Sequence, residues 1–288
     1  MRKIKFLLIN IIIATSCNYL DIVPDNIATI DHAFNMRTAA EKFLFTCYSY
    51  VPRHGVFELN VANAAGDEFW LPAGQNYASW QIARGYQNSV DPYMGFWRAT
   101  NWGIDLYEGI RQCNIFLENI GSVRDMDDYE KERWIGEVKF LKAYYHFYLL
   151  RMYGPIPLIK VNVPVNADGE EVFPVRSPVD ECFDYIVELL DEALEYLPEQ
   201  INNEITELGR ITKATGLSAK AIVLTYAASP FFNGNNDYLN FKNKKGEELF
   251  NSTEEVSKWE KAAEACKKAI NFCELTGHKL YTFNSQKL

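Results

Sequence analysis

Histidine is scarce in this chain, with four residues at positions 32, 54, 146 and 278 and no pair spaced for a metal. Cys-x-x-Cys is also missing, although six cysteines are present, at 17, 47, 113, 182, 266 and 273. These absences argue against a metal centre, and no cofactor is expected. Cys266 and Cys273 lie seven residues apart on one helical pattern, about 10 Å along the axis, which is too far for a disulfide. Cys47, Cys113 and Cys182 sit among apolar neighbours and read as small buried hydrophobes. A Gly-rich phosphate loop and a nucleophile motif are both lacking. Asp67-Glu68 and Asp127-Asp128 are each adjacent in sequence, which does not establish two carboxylates facing across a cleft, as a glycosidase needs. An enzyme is the weakest of the functional readings.

Basic charge is short as well. Lys and Arg total 29 against 38 Asp and Glu, a formal charge of −9. That balance argues against nucleic acid or an anionic membrane surface as a partner. A long apolar run is the last absence, because Phe6 to Ala14 is too short to span a bilayer. Preceded by Arg2, Lys3 and Lys5, that run reads as a secretory signal over residues 1–16. Ala14-Thr15-Ser16-Cys17 resembles a bacterial lipobox, with Ala14 where Leu is usual. Cleavage there makes Cys17 the acylated first residue. The alternative is an ordinary signal peptide with a chance cysteine.

What the chain has in quantity is apolar residues, 48% of 288, enough for the core of one large or two modest domains. Trp134, Val138, Leu141, Tyr145, Tyr148 and Met152 step by four and three, the spacing of one helix face. Phe140, Tyr144 and Phe147 widen that face. Ile135, Lys139, Lys142 and His146 fall on the other side, so a narrow wet strip is expected there. Gly154-Pro155 should stop the helix. Glu137 and Arg151 project within the apolar sector. A buried carboxylate demands a cation or backbone donors, so Glu137 is expected to be structural, with a catalytic acid as the alternative.

Further helices are predicted over Met36–Tyr50, Trp102–Ile120, from Ser177-Pro178 through Leu197, from Thr212 through Ala227, and after a capping box at Ser252–Glu255. In the last of these, Trp259, Ala262, Ala263, Cys266, Ala269 and Ile270 form the expected inner stripe. Asn114 lies on an apolar face and needs a buried partner. Pro230 to Asn251 reads as a polar loop. Between residues 57 and 97 periodicity is lost while Gly, Pro and aromatics accumulate, and so long an irregular stretch inside a domain is often functional. Trp70, Tyr77, Trp80 and Trp97 offer flat apolar faces there, and Asp67, Gln75 and Asn76 offer hydrogen bonds. Sugars want that combination, since C–H faces lie on rings while hydroxyls bond to amides and carboxylates. The alternative has the same rings packing the loop onto the helices.

The string Gly136 to Ile159, GEVKFLKAYYHFYLLRMYGPIPLI, resembles the signature helix of the SusD/RagB family of outer-membrane nutrient-binding lipoproteins. Glu137, Lys139, Lys142, Tyr144, Tyr145 and Gly154 to Pro157 stand at the matching positions, with Lys where Arg is commoner. Cys17-Asn18-Tyr19-Leu20-Asp21-Ile22-Val23-Pro24 resembles the family's mature start. LYEGIRQCNIFLENI, the helix ending Ala193 to Pro198 and the Gly209-Arg210-Ile211-Thr212-Lys213 start follow in the family's order. Trp259-x-x-Ala262 resembles the first helix of a tetratricopeptide repeat. The resemblance implies an all-α fold with tetratricopeptide-type helix pairs and a long aromatic-rich loop region. It also implies a lipid-anchored outer-membrane protein, facing the cell exterior, that binds glycans for import through a SusC-like TonB-dependent transporter. A helical-repeat scaffold binding only a protein partner is the alternative. Residues 17–288 then correspond to the family's N-terminal region. The ligand-lining loops expected of a second half are absent from this sequence, so the chain reads as a fragment or truncated frame.

Overall fold

The computed structural model describes residues 30–66, 69 and 77–281, apart from the side chains of Asp31, Phe57 and Glu170. The signal segment, Cys17 and the candidates Asp67, Trp70, Gln75 and Asn76 lie outside the described residues. Among the described residues six helices of twelve or more residues carry the fold: α1 Arg37–Tyr48, α2 Leu106–Asn119, α3 Asp128–Tyr153, α4 Val179–Tyr196, α5 Lys213–Ala228 and α6 Val256–Leu275. Among the described residues there is no β-sheet, only the isolated bridges Gly95–Thr100 and Lys242–Glu248. The fold is all-α, as the resemblance implies. No helix of the described residues is long and apolar enough to cross a membrane.

Helix α3 is the axis of the molecule. Its 26 residues extend about 39 Å. Asp127 caps the start, its carboxylate accepting from the Glu130 N–H at 2.8 Å, and acidic Asp128 and Glu130 favour the helix dipole there. Gly154 ends the helix at φ 68°, a left-handed position that Gly takes without steric cost. Helices α1 and α2 pack on one side, and α4 and α5 on the other. Close approach is set by small residues. A Cβ at Gly109 would press on Tyr50 and Tyr145, and one at Gly216 would come within 2.8 Å of Leu194.

The wet strip expected on α3 does not exist at Lys142 and His146, both of which are buried. After the Gly154-Pro155 bend the chain runs back over them. Lys142 donates to the Lys160 carbonyl at 2.6 Å, and His146 Nε2 accepts from the Ile159 N–H at 3.3 Å. His146 Nδ1 in turn meets the Lys142 carbonyl at 2.8 Å. The same return segment supplies Asn162, which partners buried Asn114 at 3.3 Å.

Glu137 is fully buried and answered by cations. Its Oε2 accepts from Tyr48 at 2.6 Å and from Arg210 Nε at 3.0 Å. Its Oε1 touches Arg133 at 3.2 Å and Arg210 at 2.9 Å, off the hydrogen-bond axis. Arg133 continues to Glu207 at 2.7 Å, and that bond holds the Glu207 carboxyl below its ordinary range. The network ties α1, α3 and the entry to α5 together, and it leaves Glu137 no access to a substrate. Arg151 lies over the rings of Tyr148 and Phe147 at 4.7 and 5.7 Å.

Three local expectations shift. Helix α4 begins at Val179 with Pro178 in the cap position, because the Val179 N–H that a Ser177 cap would use donates to the Leu249 carbonyl at 3.0 Å. Helix α6 begins at Val256, not inside a Ser252 capping box, because Asn233 claims the Glu255 N–H at 2.8 Å. Along α6 the inner face is Ala262, Ala265 and Ala269, while Trp259 and Ile270 are exposed. Only small side chains fit against the Gly- and Ala-rich α5.

A candidate ligand-binding cleft

Residues 94–103 form a tight loop that opens into α2. The Met94 N–H donates to Asn101 O at 2.8 Å, and Gly95 pairs with Thr100 in both directions. The turn is so close that a Cβ at Gly103 would lie 2.2 Å from the Gly95 carbonyl oxygen. Met94, Ala99, Asn101 and Trp102 all have positive φ, between 43° and 74°. Such conformations are uncommon for residues with side chains and persist only where the surroundings over-determine them. Here the Phe96 N–H donates to the Tyr153 hydroxyl at 2.8 Å, and Leu106 N–H donates to Phe96 O at 3.0 Å. The loop is thereby fixed to the last turn of α3 and the first of α2.

What the loop presents is Trp97. Its half-buried ring meets Tyr107 and Tyr153 edge-on, with centroids 4.9 and 5.5 Å away. The Arg176 guanidinium, from the segment before α4, lies 5.9 Å from the ring centre. Beside this group opens a cleft of roughly 890 Å³, walled further by Phe173 and by Phe241, Lys242 and Lys244 of the 230–251 loop. Phe173 and Phe241 are 77% and 43% exposed, so their rings are free to meet a ligand. The 230–251 loop was expected to be merely polar. It is instead held by stacked and edge-on rings, with Tyr238 and Phe250 at 4.6 Å and Phe183 and Phe232 at 5.1 Å.

The polar chemistry of the cleft is one-sided. Arg98, Arg176, Lys242 and Lys244 line it and, among the described residues, no carboxylate does. Tyr107 donates to Pro157 O at 3.2 Å, and burial pushes its phenol above the ordinary range, so it stays a neutral donor. A second groove, roughly 590 Å³ between α4, α5 and α6, is different. Three of its lysines are paired, Lys220 on Asp191, Lys258 on Asp180 and Lys268 on Glu264. In the open cleft, among the described residues, Lys242 alone of the four cations is ion-paired, to Glu248 at 3.6 Å. Among the described residues no group of three His, Cys, Asp or Glu side chains could hold a metal ion.

Of the residues singled out in the sequence, Trp97 lines this cleft. Trp80 is 7% exposed and packs with Ala64, Tyr77 and Ala83 in a small cluster of its own. Asp67, Trp70, Gln75 and Asn76 fall outside the described residues. Phe173, Arg176, Phe241 and Lys244 were not anticipated. The available signal was two further stretches without helical periodicity, 161–176 and 230–251, each placing a Phe close in sequence to a basic residue.

Comparisons with known proteins agree with the fold. The SusD-like family model described as "Starch-binding associating with outer membrane" matches residues 18–223. Among solved structures, BT4246 is 33% identical with a TM-score of 0.71, over 85% of this chain and 41% of that one. A SusD-like protein from Bacteroides fragilis NCTC 9343 is 22% identical with a TM-score of 0.60, over 88% of this chain and 42% of its own. A laminarin-binding SusD-like protein is 23% identical with a TM-score of 0.57, over 68% of this chain and 41% of that one. These two lower identities speak to the fold alone. A search of curated proteins by sequence finds no match. The chain spans about two fifths of the length of the solved relatives it matches. From residue 18 into α5, through the buried Glu137 network and the Trp97 loop, this chain belongs to the SusD-like family.

Proposed function

We propose that the chain is a glycan-binding lipoprotein of the outer membrane, and that the Trp97 cleft contributes to its ligand site. The observation that carries the reading is the cleft itself, an open space between Trp97, Phe173 and Phe241 in a chain whose family is described as starch-binding. Aromatic rings beside hydrogen-bonding groups are what a sugar's two kinds of surface require. Asp67, Trp70, Gln75, Asn76, Tyr77 and Trp80 remain proposed contacts from the same irregular region. The role is binding, not catalysis. Calorimetric titration of the purified chain with a panel of oligosaccharides tests it. Saturable binding that weakens in Phe241→Ala, with an unchanged melting midpoint, supports the reading, and failure of every sugar to bind overturns it.

Attachment follows from Ala14-Thr15-Ser16-Cys17. Acylated Cys17 anchors the chain in the outer membrane facing outward, and a SusC-like TonB-dependent transporter receives the ligand. Both statements rest on the family resemblance and on the lipobox-like string. Cys17→Ala should release the protein from membranes, and the N-terminal peptide of the parent chain should carry lipid mass. Unchanged detergent partitioning would remove the anchor from the reading. Co-purification of a transporter with the parent chain tests the partnership.

A further inference from the structure

We infer that the ligand of the Trp97 cleft is an anionic sugar, one carrying carboxylate or sulfate groups, and not a neutral glucan. The inference rests on the glycan-binding reading above and narrows it to a ligand class. A neutral sugar presents hydroxyls that donate as well as accept, and sites that read them normally supply acceptors. This lining supplies almost none. Arginine and lysine donate only, and they account for four of the polar residues in the wall, Arg98, Arg176, Lys242 and Lys244. The remaining amide, Asn243, is already engaged. Its Nδ2 donates to Arg176 O at 3.0 Å and to Glu247 at 2.7 Å, and its Oδ1 accepts from the Lys245 and Glu247 N–H groups at 2.9 and 3.1 Å.

Three of the four charges also have no ion pair among the described residues. Among the described residues no carboxylate lies within 4.0 Å of Arg98, Arg176 or Lys244, and Lys242 reaches Glu248 only at 3.6 Å. Of the four, Arg176 is the half-buried one, in a chain of net charge −9 where acidic residues are plentiful. Arg176 is held over the Trp97 ring and against the Tyr153 carbonyl at 3.5 Å. Its guanidinium is therefore pre-placed, at little entropic cost on binding, for paired hydrogen bonds to a planar carboxylate or to two sulfate oxygens. Phe173 and Phe241 supply the apolar surface that an acidic peptide of the same charge would not require.

The test compares four probes on the full chain by calorimetry at low ionic strength: maltohexaose, oligogalacturonate, a sulfated oligosaccharide of matched length, and hexaglutamate. Binding of the uronate or the sulfated sugar at least tenfold tighter than maltohexaose is expected, with affinity falling as salt is raised. The better of those two identifies the acid group. Arg98→Ser with Lys244→Ser should weaken that binding at least tenfold without moving the melting midpoint. Maltohexaose binding as tightly as the acidic sugars, unaffected by the double substitution, would overturn the inference and leave glycan binding standing. Hexaglutamate binding equal to the acidic sugars would overturn it in favour of an acidic peptide. Binding of none of the sugars would overturn both this inference and the reading beneath it.

Discussion

Two tryptophans in this molecule each carry arginine over the ring, and their surroundings differ in one respect. Around Trp134 stand Arg37 at 5.3 Å and Arg210 at 5.7 Å, and each arginine ends on a carboxylate. Arg37 meets Glu130 at 2.8 Å and Arg210 meets Glu137 at 3.0 Å. Around Trp97 stands Arg176, whose neighbours in the cleft are further cations. The first arrangement is closed on itself and ties three parts of the chain together. In the second, Arg176 reaches the Tyr153 carbonyl at 3.5 Å and, among the described residues, no carboxylate. Arginine on an aromatic ring is thus no guide to function until its counter-charge has been located.

The largest effect should come from opening the closed arrangement. Glu137→Ala leaves Arg133 and Arg210 buried beside each other and should cost about 3–5 kcal/mol of stability, read from denaturant midpoints. A variant that melts normally would mean the network is ornamental.

The next effect sharpens the scaffold side through pH. Burial, aided by the nearby Lys142 charge, lowers the His146 pKa from 6.5 to about 4. Its imidazole faces Lys142, the Ile159 N–H and the Tyr185 ring at 5.4 Å. Between these two values the unfolded chain binds the proton and the folded chain does not, so stability is full above pH 6.5 and falls as pH drops toward 4. The expected loss is about 2 kcal/mol between pH 7 and 5. His146→Gln should flatten that part of the profile. An unaltered slope would assign the loss to carboxylates instead.

On the cleft side, Phe241→Ala should weaken the binding of a glycan ligand by about 0.5–1.5 kcal/mol while leaving the fold intact. Calorimetry and thermal melts on the same samples separate the two quantities. The smallest effect is the sharpest contrast with Arg210. Arg98→Gln removes an exposed cation that has no carboxylate partner, and stability should stay within about 0.5 kcal/mol of the parent. A larger loss would show that Arg98 belongs to the scaffold.

The legible part of this molecule is the part whose pattern is local. The α3 stripe from Trp134 to Met152, the Gly154 stop and the need of Glu137 for a cation all follow from spacing and burial cost within one helix. Lys142 and His146 were misplaced because periodicity tells which side of a helix they share, but not that residues 156–162 return to cover that side. Ser177 and Ser252 are good caps by composition, yet Leu249 and Asn233 reach the relevant N–H groups first. The cleft was the least legible. Trp97, Arg176 and Lys244 come from three segments far apart in the chain, and only the packing of α2, α3 and α4 brings them to one rim.

The close turn at residues 94–103 also sets how this protein could be altered. Gly95 and Gly103 meet with no room for a side chain: a Cβ at Gly95 would strike Thr100, and one at Gly103 the Gly95 backbone. Randomising the whole loop would therefore discard most variants before any could be screened for ligand. Trp102 points outward and is 71% exposed, and Arg98 is exposed beside it on the same loop. A library that holds the two glycines and Phe96 constant and diversifies 98, which lines the cleft, would change the rim's chemistry while keeping the clasp that shapes it.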